Sequence, residues 1–240
     1  MTTASGKDQA RKDQARRDQA RREQVTREQV GKERVGEEQM TNKASRFASV
    51  TRKTKETDIT IEVNLDQPSP PDIETSLPFL SHMLEAFAVH GRFGLKVRAV
   101  GDIEVDPHHL IEDTGITLGE AIFKALGGLK GINRAGCFTY PMDGSLVTIA
   151  IDLCGRRNLT WKVQFGNFEV GHIDPNLFRE FFKGFVDGLR ATLHCHELYG
   201  DNDHHVIEAV FKGLGKALRQ AVVPLETGEY LSTKGVLDES

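Results

Sequence analysis

The feature that most constrains the fold is a short pattern that occurs twice, 96 residues apart. Residues 108–112 read HHLIE and residues 204–208 read HHVIE, so each copy is a histidine pair followed three residues later by a glutamate. When the chain is shifted by 96 residues, a helix pattern, a strand pattern, a polar loop, the histidine pair and a second helix pattern recur in the same order. We therefore predict two homologous halves related by approximate twofold symmetry.

Hydrophobic periodicity locates the elements of both halves. In the first half, alternating apolar and polar residues predict strands at 57–65 and 95–100, and apolar residues three and four apart predict a helix at 77–90. A second helix follows the first histidine pair and runs to about residue 126. The second half repeats this order, with an opening strand at 147–153, a helix at 176–190 and a strand at 191–198.

The N-terminal segment differs from the rest of the chain. From Lys7 it repeats a charged five-residue unit of the type KDQAR, and a five-residue period rotates successive apolar residues by about 140° around a helix, so no apolar stripe forms. We interpret residues 1–46 as a solvated charged helix or a disordered tail. Residues 47–240 then form one domain of two repeats, at about 52–140 and 141–237.

Composition excludes several classes of function. The formal net charge is −4 and the basic residues do not collect into a stripe, so nucleic acid is not the expected ligand. No apolar run is long enough to span a membrane. The three cysteines, Cys137, Cys154 and Cys195, are widely spaced and odd in number, which favours free thiols in a reducing compartment and predicts a cytoplasmic protein.

The histidine pairs predict metal binding. On a helix, the first histidine and the glutamate of each copy share a face, while the second histidine points about 100° away, so each copy can contribute to two metal centres. His82, in a helical turn, and His194, in a strand, are further candidates. A mixed imidazole and carboxylate set leaves the metal open. It also leaves the function open between a metal store, a structural metal site and a two-metal hydrolase.

Longer segments around these motifs can be compared with a known family. They read FLSHML at 79–84, HG at 90–91, GDIEVDPHH at 101–109, ED at 112–113, LH at 193–194, YGDNDHH at 199–205, EAVFK at 208–212 and STKGVL at 232–237. In this order they strongly resemble imidazoleglycerol-phosphate dehydratase, an enzyme of histidine biosynthesis. The resemblance extends from about residue 52 to residue 237 and leaves out the charged N-terminal repeat.

This resemblance implies a hydro-lyase that converts D-erythro-imidazole-glycerol phosphate to imidazole-acetol phosphate. It implies two Mn²⁺ ions per active site, bridged by the substrate imidazolate, and a homo-oligomer of 24 subunits built from trimers with shared active sites. It also implies an α+β fold in which each half is a four-stranded mixed sheet with two helices, the helices packing between the two sheets. The alternative is a catalytically impaired metal-binding oligomer, or a di-metal hydrolase of the same fold.

The resemblance also assigns roles to individual residues. One metal shell is expected to contain His82, His109, His205 and Glu208, and the other His108, Glu112, His194 and His204. The expected catalytic residues are Glu56, His90, Glu112 and Glu208. The expected substrate-binding residues are Glu56, His82, His90, His108 and Glu112, with Arg134, Arg156, Lys212, Ser232 and Lys234 placed around the phosphate.

Three positions depart from the pattern of that family. Ser81 and Pro107 each stand where the family usually has aspartate, and Gly144 with Ser145 stands where a Glu-Ala pair is usual. Carboxylates near metal-bound histidines often orient the imidazole rings. We therefore hypothesise that these departures weaken metal binding or alter activity.

Overall fold

The structure, a computed structural model, describes residues 45–225. These residues belong to one compact unit. The charged N-terminal repeat therefore lies outside the described residues, as do Ser232 and Lys234. Within residues 45–225, no helix is both long and apolar enough to cross a membrane.

Each half contains four strands and two helices in the same order along the chain. The first half comprises β1 (Phe47–Lys53), β2 (Thr57–Asn64), β3 (Asp72–Thr75), α1 (Pro78–Gly91), β4 (Gly94–Gly101) and α2 (Pro107–Leu126). The second half comprises β5 (Ala135–Met142), β6 (Ser145–Asp152), β7 (Asn158–Lys162), α3 (Leu177–Leu189), β8 (Thr192–Tyr199) and α4 (Asp203–Ala221). The predicted repeat is thus present element for element.

The two sheets have the same topology. Their strand orders are β1-β2-β4-β3 and β5-β6-β8-β7, and in both sheets the first two pairings are antiparallel and the last is parallel. The prediction of two similar α+β halves with four-stranded mixed sheets is therefore confirmed. The second sheet begins at Ala135, so the second half starts before the expected boundary at 141, and β5 rather than the strand at 147–153 opens it.

The four helices lie between the two sheets and pair across the halves. The central strands turn their apolar side chains inward, as at Ile59, Ile61, Val147 and Ile149, all fully buried. Helix α2 packs on β1 and β2 and also on α3, while α4 packs on β5 and β6 and also on α1. Each helix therefore takes its closest helical partner from the other half.

Glycines allow these helices to approach closely. A Cβ added at Gly115, Gly119, Gly184 or Gly188 would overlap backbone atoms of the opposing helix in the α2–α3 pair. Close backbone approach is a role that only glycine fills without moving its neighbours. The crossing consequently fixes the position of α2 relative to α3, and with it the position of the first histidine pair.

The two motif helices begin in the same way. The N-cap residues are Asp106 and Asn202, whose side chains accept hydrogen bonds from the backbone N–H of His108 at 2.7 Å and of His204 at 3.0 Å. Such caps satisfy N–H groups that have no partner within the helix. Each histidine pair is thereby held in the first turn of its helix.

Candidate metal and active site

One histidine pair meets a histidine from the other half of the chain. His82 on α1 and His204 on α4 both face Glu208, with His82 Nε2 3.7 Å from Oε1 and His204 Nε2 3.4 Å from Oε2. The three potential ligand atoms lie within 4.8 Å of one another. In residues 45–225 this is the one group of three or more such side chains that comes together so closely.

Two imidazoles and a carboxylate fit a divalent metal ion. Such a set suits Mn²⁺ or Zn²⁺ and supplies three of the ligands that these ions require. The ring edge of Phe79 packs against His204, with the ring centroids 5.0 Å apart, and this contact fixes the imidazole plane. The cluster therefore has the donor chemistry and the restricted geometry of a metal site.

Lys212 controls the charge of Glu208. Its Nζ lies 2.8 Å from Oε1, and the two side chains are only 17% and 10% exposed. Burial by itself raises the pKa of Glu208, but the hydrogen bond and positive charge of Lys212, with the nearby histidines, outweigh burial and hold the pKa below its ordinary value. Glu208 is therefore ionised at neutral pH, as a metal ligand must be.

His90 lies at the other end of α1, beside the same lysine. Burial lowers the pKa of His90, and the charges of Lys212 and Lys216 lower it further. The Tyr140 hydroxyl lies 3.4 Å from His90 Nδ1, and the two rings meet edge to face. His90 is thus neutral at neutral pH and is available to accept a proton.

The first motif forms a smaller cluster whose members all come from the first half of the chain. His108 Nε2 lies 3.3 Å from Glu112 Oε2, as expected for residues four apart on a helix. Glu56, in the turn between β1 and β2, is exposed, and its backbone carbonyl accepts a hydrogen bond from Asp102 N–H. Its negative charge contributes to the raised pKa of His109. Glu56 and the first motif therefore occupy one region.

The second histidine of each pair faces an aspartate from outside its motif. His109 Nδ1 lies 3.2 and 3.3 Å from the two carboxylate oxygens of Asp102, and this hydrogen bond raises the pKa of His109. His205 Nδ1 lies 3.6 Å from Asp143 Oδ2. The two histidines of each motif are therefore turned to different neighbours.

A third group of candidate residues, which includes His194 and Arg134, lies on the outer side of the second sheet. His194 is exposed between the buried residues Leu193 and Cys195, so it points away from the helices. It lines a groove of about 530 Å³ together with Asp152. Arg134 donates two hydrogen bonds to the Asp152 carboxylate, from Nε at 2.7 Å and from Nη2 at 3.0 Å. Arg156 is exposed on the loop that follows β6.

Within this chain, the structure brings together a different group from the one expected, and the division of the ligands into two shells stays a prediction. The residue beside His82 and Glu208 is His204, whereas the family resemblance placed His205 there. Adjacent residues on a helix point about 100° apart, so the two histidines face different neighbours, and His204 is the one that faces His82 and Glu208. The other two members of that shell, His109 and His205, face Asp102 and Asp143 instead.

The three departures from the family pattern have local explanations. Ser81 shares a hydrogen bond with Thr75, with the hydroxyl oxygens 3.0 Å apart. Pro107 occupies the first turn of α2, where its missing N–H costs nothing. A Cβ at Gly144 would overlap the carboxylate of Asp201. These residues fit their own surroundings, and the hypothesis that the departures weaken metal binding or alter activity stays a prediction.

Sequence reasoning missed the functional neighbours Asp102, Asp143 and Tyr140. An acidic residue in the loop before the first histidine pair was a usable signal for Asp102. Asp143 and Tyr140 come from the β5–β6 hairpin, which no local pattern connects to the second motif.

All three Cys residues are free, as predicted. Cys154 and Cys195 are buried, and Cys137 is exposed.

The duplicated fold is that of a class of α+β hydro-lyases. The family model described as imidazoleglycerol-phosphate dehydratase matches residues 75–218, and the chain belongs to this family. The family resemblance seen in the sequence is confirmed.

Individual relatives and solved structures agree with this assignment. Imidazoleglycerol-phosphate dehydratase from Methylorubrum populi is 48% identical over 194 residues, which cover 80% of this chain and 100% of the relative. The enzyme of the same name from Lacticaseibacillus casei is 50% identical over 193 residues, again 80% and 100%. A crystal structure of IGPD from Pyrococcus furiosus in complex with (S)-C348 has a TM-score of 0.68 at 41% identity, covering 78% of this chain and 100% of that one. The crystal structure from Staphylococcus aureus gives 0.67 at 33% identity, covering 74% and 99%.

Proposed function

We propose that the protein catalyses the dehydration of D-erythro-imidazole-glycerol phosphate to imidazole-acetol phosphate in histidine biosynthesis. Relatives named imidazoleglycerol-phosphate dehydratase match this chain at 46–50% identity over nearly their whole length. The single structural observation that carries the proposal is the group of His82, His204 and Glu208, which joins both halves of the chain at one point.

Two Mn²⁺ ions are the proposed cofactors. When bound, they would act as Lewis acids, and the substrate imidazolate is proposed to bridge them. His82, His204 and Glu208 would hold one ion. His108 and Glu112 supply part of the other shell, and His109, His194 and His205 are the remaining proposed ligands.

Proton transfer is assigned to residues beside these clusters. Dehydration requires a base that removes a proton from the carbon adjacent to the one that carries the departing hydroxyl, and an acid that protonates that hydroxyl. His90 is suited to accept a proton because burial and the two nearby lysines favour its neutral form. Glu56, exposed next to the first motif, is the proposed partner in proton transfer.

Several basic residues are proposed to bind the substrate phosphate. Arg134 and Arg156 lie on neighbouring loops of the second sheet, and arginine can contact two phosphate oxygens at once. Lys212 adds a single positive charge beside Glu208. Ser232 and Lys234 complete the proposed set and lie outside the described residues.

We further propose that the protein is cytoplasmic and forms a homo-oligomer of 24 subunits. Neighbouring subunits of this oligomer would share active sites. The supporting observation is His194, which faces outward from the second sheet while the helix motifs lie on its inner side. Ligands on opposite sides of a sheet cannot converge within one chain. A neighbouring subunit would therefore supply the missing ligands to each site.

The test is turnover of the manganese-loaded protein with imidazole-glycerol phosphate, with the product detected by mass spectrometry as loss of one water. Glu208→Gln should abolish turnover, because it removes the charge of the carboxylate without changing its size. His172→Gln is the matched control, since His172 is 98% exposed and contacts Glu169. Manganese binding without turnover in the wild-type protein would instead support the impaired metal-binding oligomer, and hydrolysis of the phosphate ester would support the di-metal hydrolase.

A further inference from the structure

The two histidines of each motif use their ring nitrogens differently. The first histidine directs Nε2 at the motif glutamate, at 3.3 Å for His108 and 3.4 Å for His204. The second directs Nδ1 at an aspartate from another segment, at 3.2 Å for His109 and 3.6 Å for His205. The same division therefore occurs independently in both halves.

We propose that Asp102 and Asp143 are positioning residues for His109 and His205. The Asp102 carboxylate accepts the Nδ1 proton of His109, and the Asp143 carboxylate lies where it can accept that of His205. Such a contact fixes the tautomer and leaves the Nε2 lone pair available for a metal ion. This inference rests on the proposed function, because it assumes that these histidines are metal ligands.

The environment of His205 Nδ1 supports the assignment. This nitrogen is buried and has no hydrogen-bond partner within 3.5 Å among the described residues, and an unpaired buried N–H is costly. The carboxylate of Asp143 lies just beyond that limit. A slight shift of the β5–β6 turn would bring the two groups within hydrogen-bonding distance.

The backbone of Asp143 is shaped for this role. Met142 pairs with Ser145, so Asp143 and Gly144 form a two-residue turn, and Asp143 has a φ of 48°. Aspartate tolerates this left-handed conformation better than most residues that have a Cβ. The turn thereby delivers a carboxylate to a helix that belongs to a later part of the chain.

Asp102 can be changed without loosening its loop. Its carbonyl accepts hydrogen bonds from the backbone N–H of Val105 and Asp106, and its own N–H donates to Glu56 O. Its carboxylate contacts His109. Asp102→Ala therefore removes the contact to the ring and leaves the backbone connections in place.

The decisive experiment is calorimetric titration of metal-free protein with Mn²⁺, comparing wild type with Asp102→Ala and Asp143→Ala. Each variant should bind one of the ions about 10- to 100-fold more weakly, the usual cost of losing a ring-orienting carboxylate. Asp102→Asn and Asp143→Asn should recover part of the affinity, since the amide oxygen still accepts the Nδ1 proton. Asp58→Ala, which removes a surface partner of Lys53, is the control and should bind Mn²⁺ like wild type.

The outcomes separate this inference from the proposed function. If the wild-type protein dehydrates the substrate while both alanine variants keep wild-type Mn²⁺ affinity, the positioning role is refuted and the proposed function stands. If the wild-type protein neither binds Mn²⁺ nor produces the acetol phosphate, the proposed function and the positioning role are both refuted. A loss of affinity that the asparagine variants do not recover would assign the aspartates a purely charge-based role and would overturn the tautomer argument.

Discussion

Replacing Gly184 with alanine tests whether the α2–α3 crossing holds the first motif in place. A Cβ at Gly184 would lie 2.6 Å from the backbone carbonyl oxygen of Glu112 and 3.1 Å from Ile116 N. Ordinary contact begins at 3.4 Å, so the helices would have to separate by up to 0.8 Å. Because the obstacle is backbone, rotation of a side chain cannot relieve it.

The expected cost follows from two opposing effects. Overpacking a rigid core costs about 1–3 kcal/mol, and alanine in place of glycine inside a helix returns roughly 0.5–1 kcal/mol. We therefore expect Gly184→Ala to lower the free energy of unfolding by about 1–2 kcal/mol. The same displacement moves the backbone of Glu112, so Mn²⁺ affinity should fall as well.

Urea unfolding at fixed protein concentration, monitored by circular dichroism, measures the stability change. Gly213→Ala is the matched control, because a Cβ there would meet the side chain of Ile149 at 2.8 Å and no backbone atom within 3.6 Å. The control should lose less stability than Gly184→Ala, since a side chain can shift. A Gly184→Ala protein as stable as wild type, with an unchanged denaturant slope, would refute the close-crossing argument.

Three further predictions follow from the packing and the charges. Ser145→Ala should raise the free energy of unfolding by about 1 kcal/mol in urea titrations, because the Ser145 hydroxyl is buried with no hydrogen-bond partner among the described residues. The hydrogen bond and charge of Arg46 hold the pKa of Asp66 below its ordinary value of 3.8. Asp66→Asn should therefore lower the free energy of unfolding by its full amount above pH 3.8. The difference from wild type should vanish as the pH falls through the lowered pKa. Lys212→Met should destabilise the metal-free protein by about 3 kcal/mol in thermal melts, and Mn²⁺ should restore most of the loss by taking over the charge of Glu208; equal losses with and without Mn²⁺ would contradict this.

The sequence predicted the elements that are strongly periodic. Both central strands of each sheet and all four helices were located from hydrophobic spacing, because their inner faces are fully buried. The edge strands β1, β3, β5 and β7 were not located. Their residues are mostly exposed or half-buried, and β3 is only four residues long, so no clear alternation marks them.

The histidine–glutamate pairs within each motif were predictable from the sequence, but the contact that joins the second pair to His82 was not. The spacing within each motif placed His108 beside Glu112 and His204 beside Glu208, as observed. The meeting of His82 with that second pair depends on the contact between α1 and α4, which are more than 110 residues apart in the chain. No local pattern encodes such a contact, because it arises from the packing of whole layers.

The exchange of helical partners between the halves has a consequence for how such a chain could arise. Alone, either half would expose one face of each of its helices and would lack part of the His82, His204 and Glu208 group. Two identical halves could satisfy both needs only by associating, at a cost in translational and rotational freedom. Joining them in one chain replaces that concentration-dependent association with a fixed high effective concentration. The tandem arrangement thereby makes assembly of the ligand group independent of protein concentration.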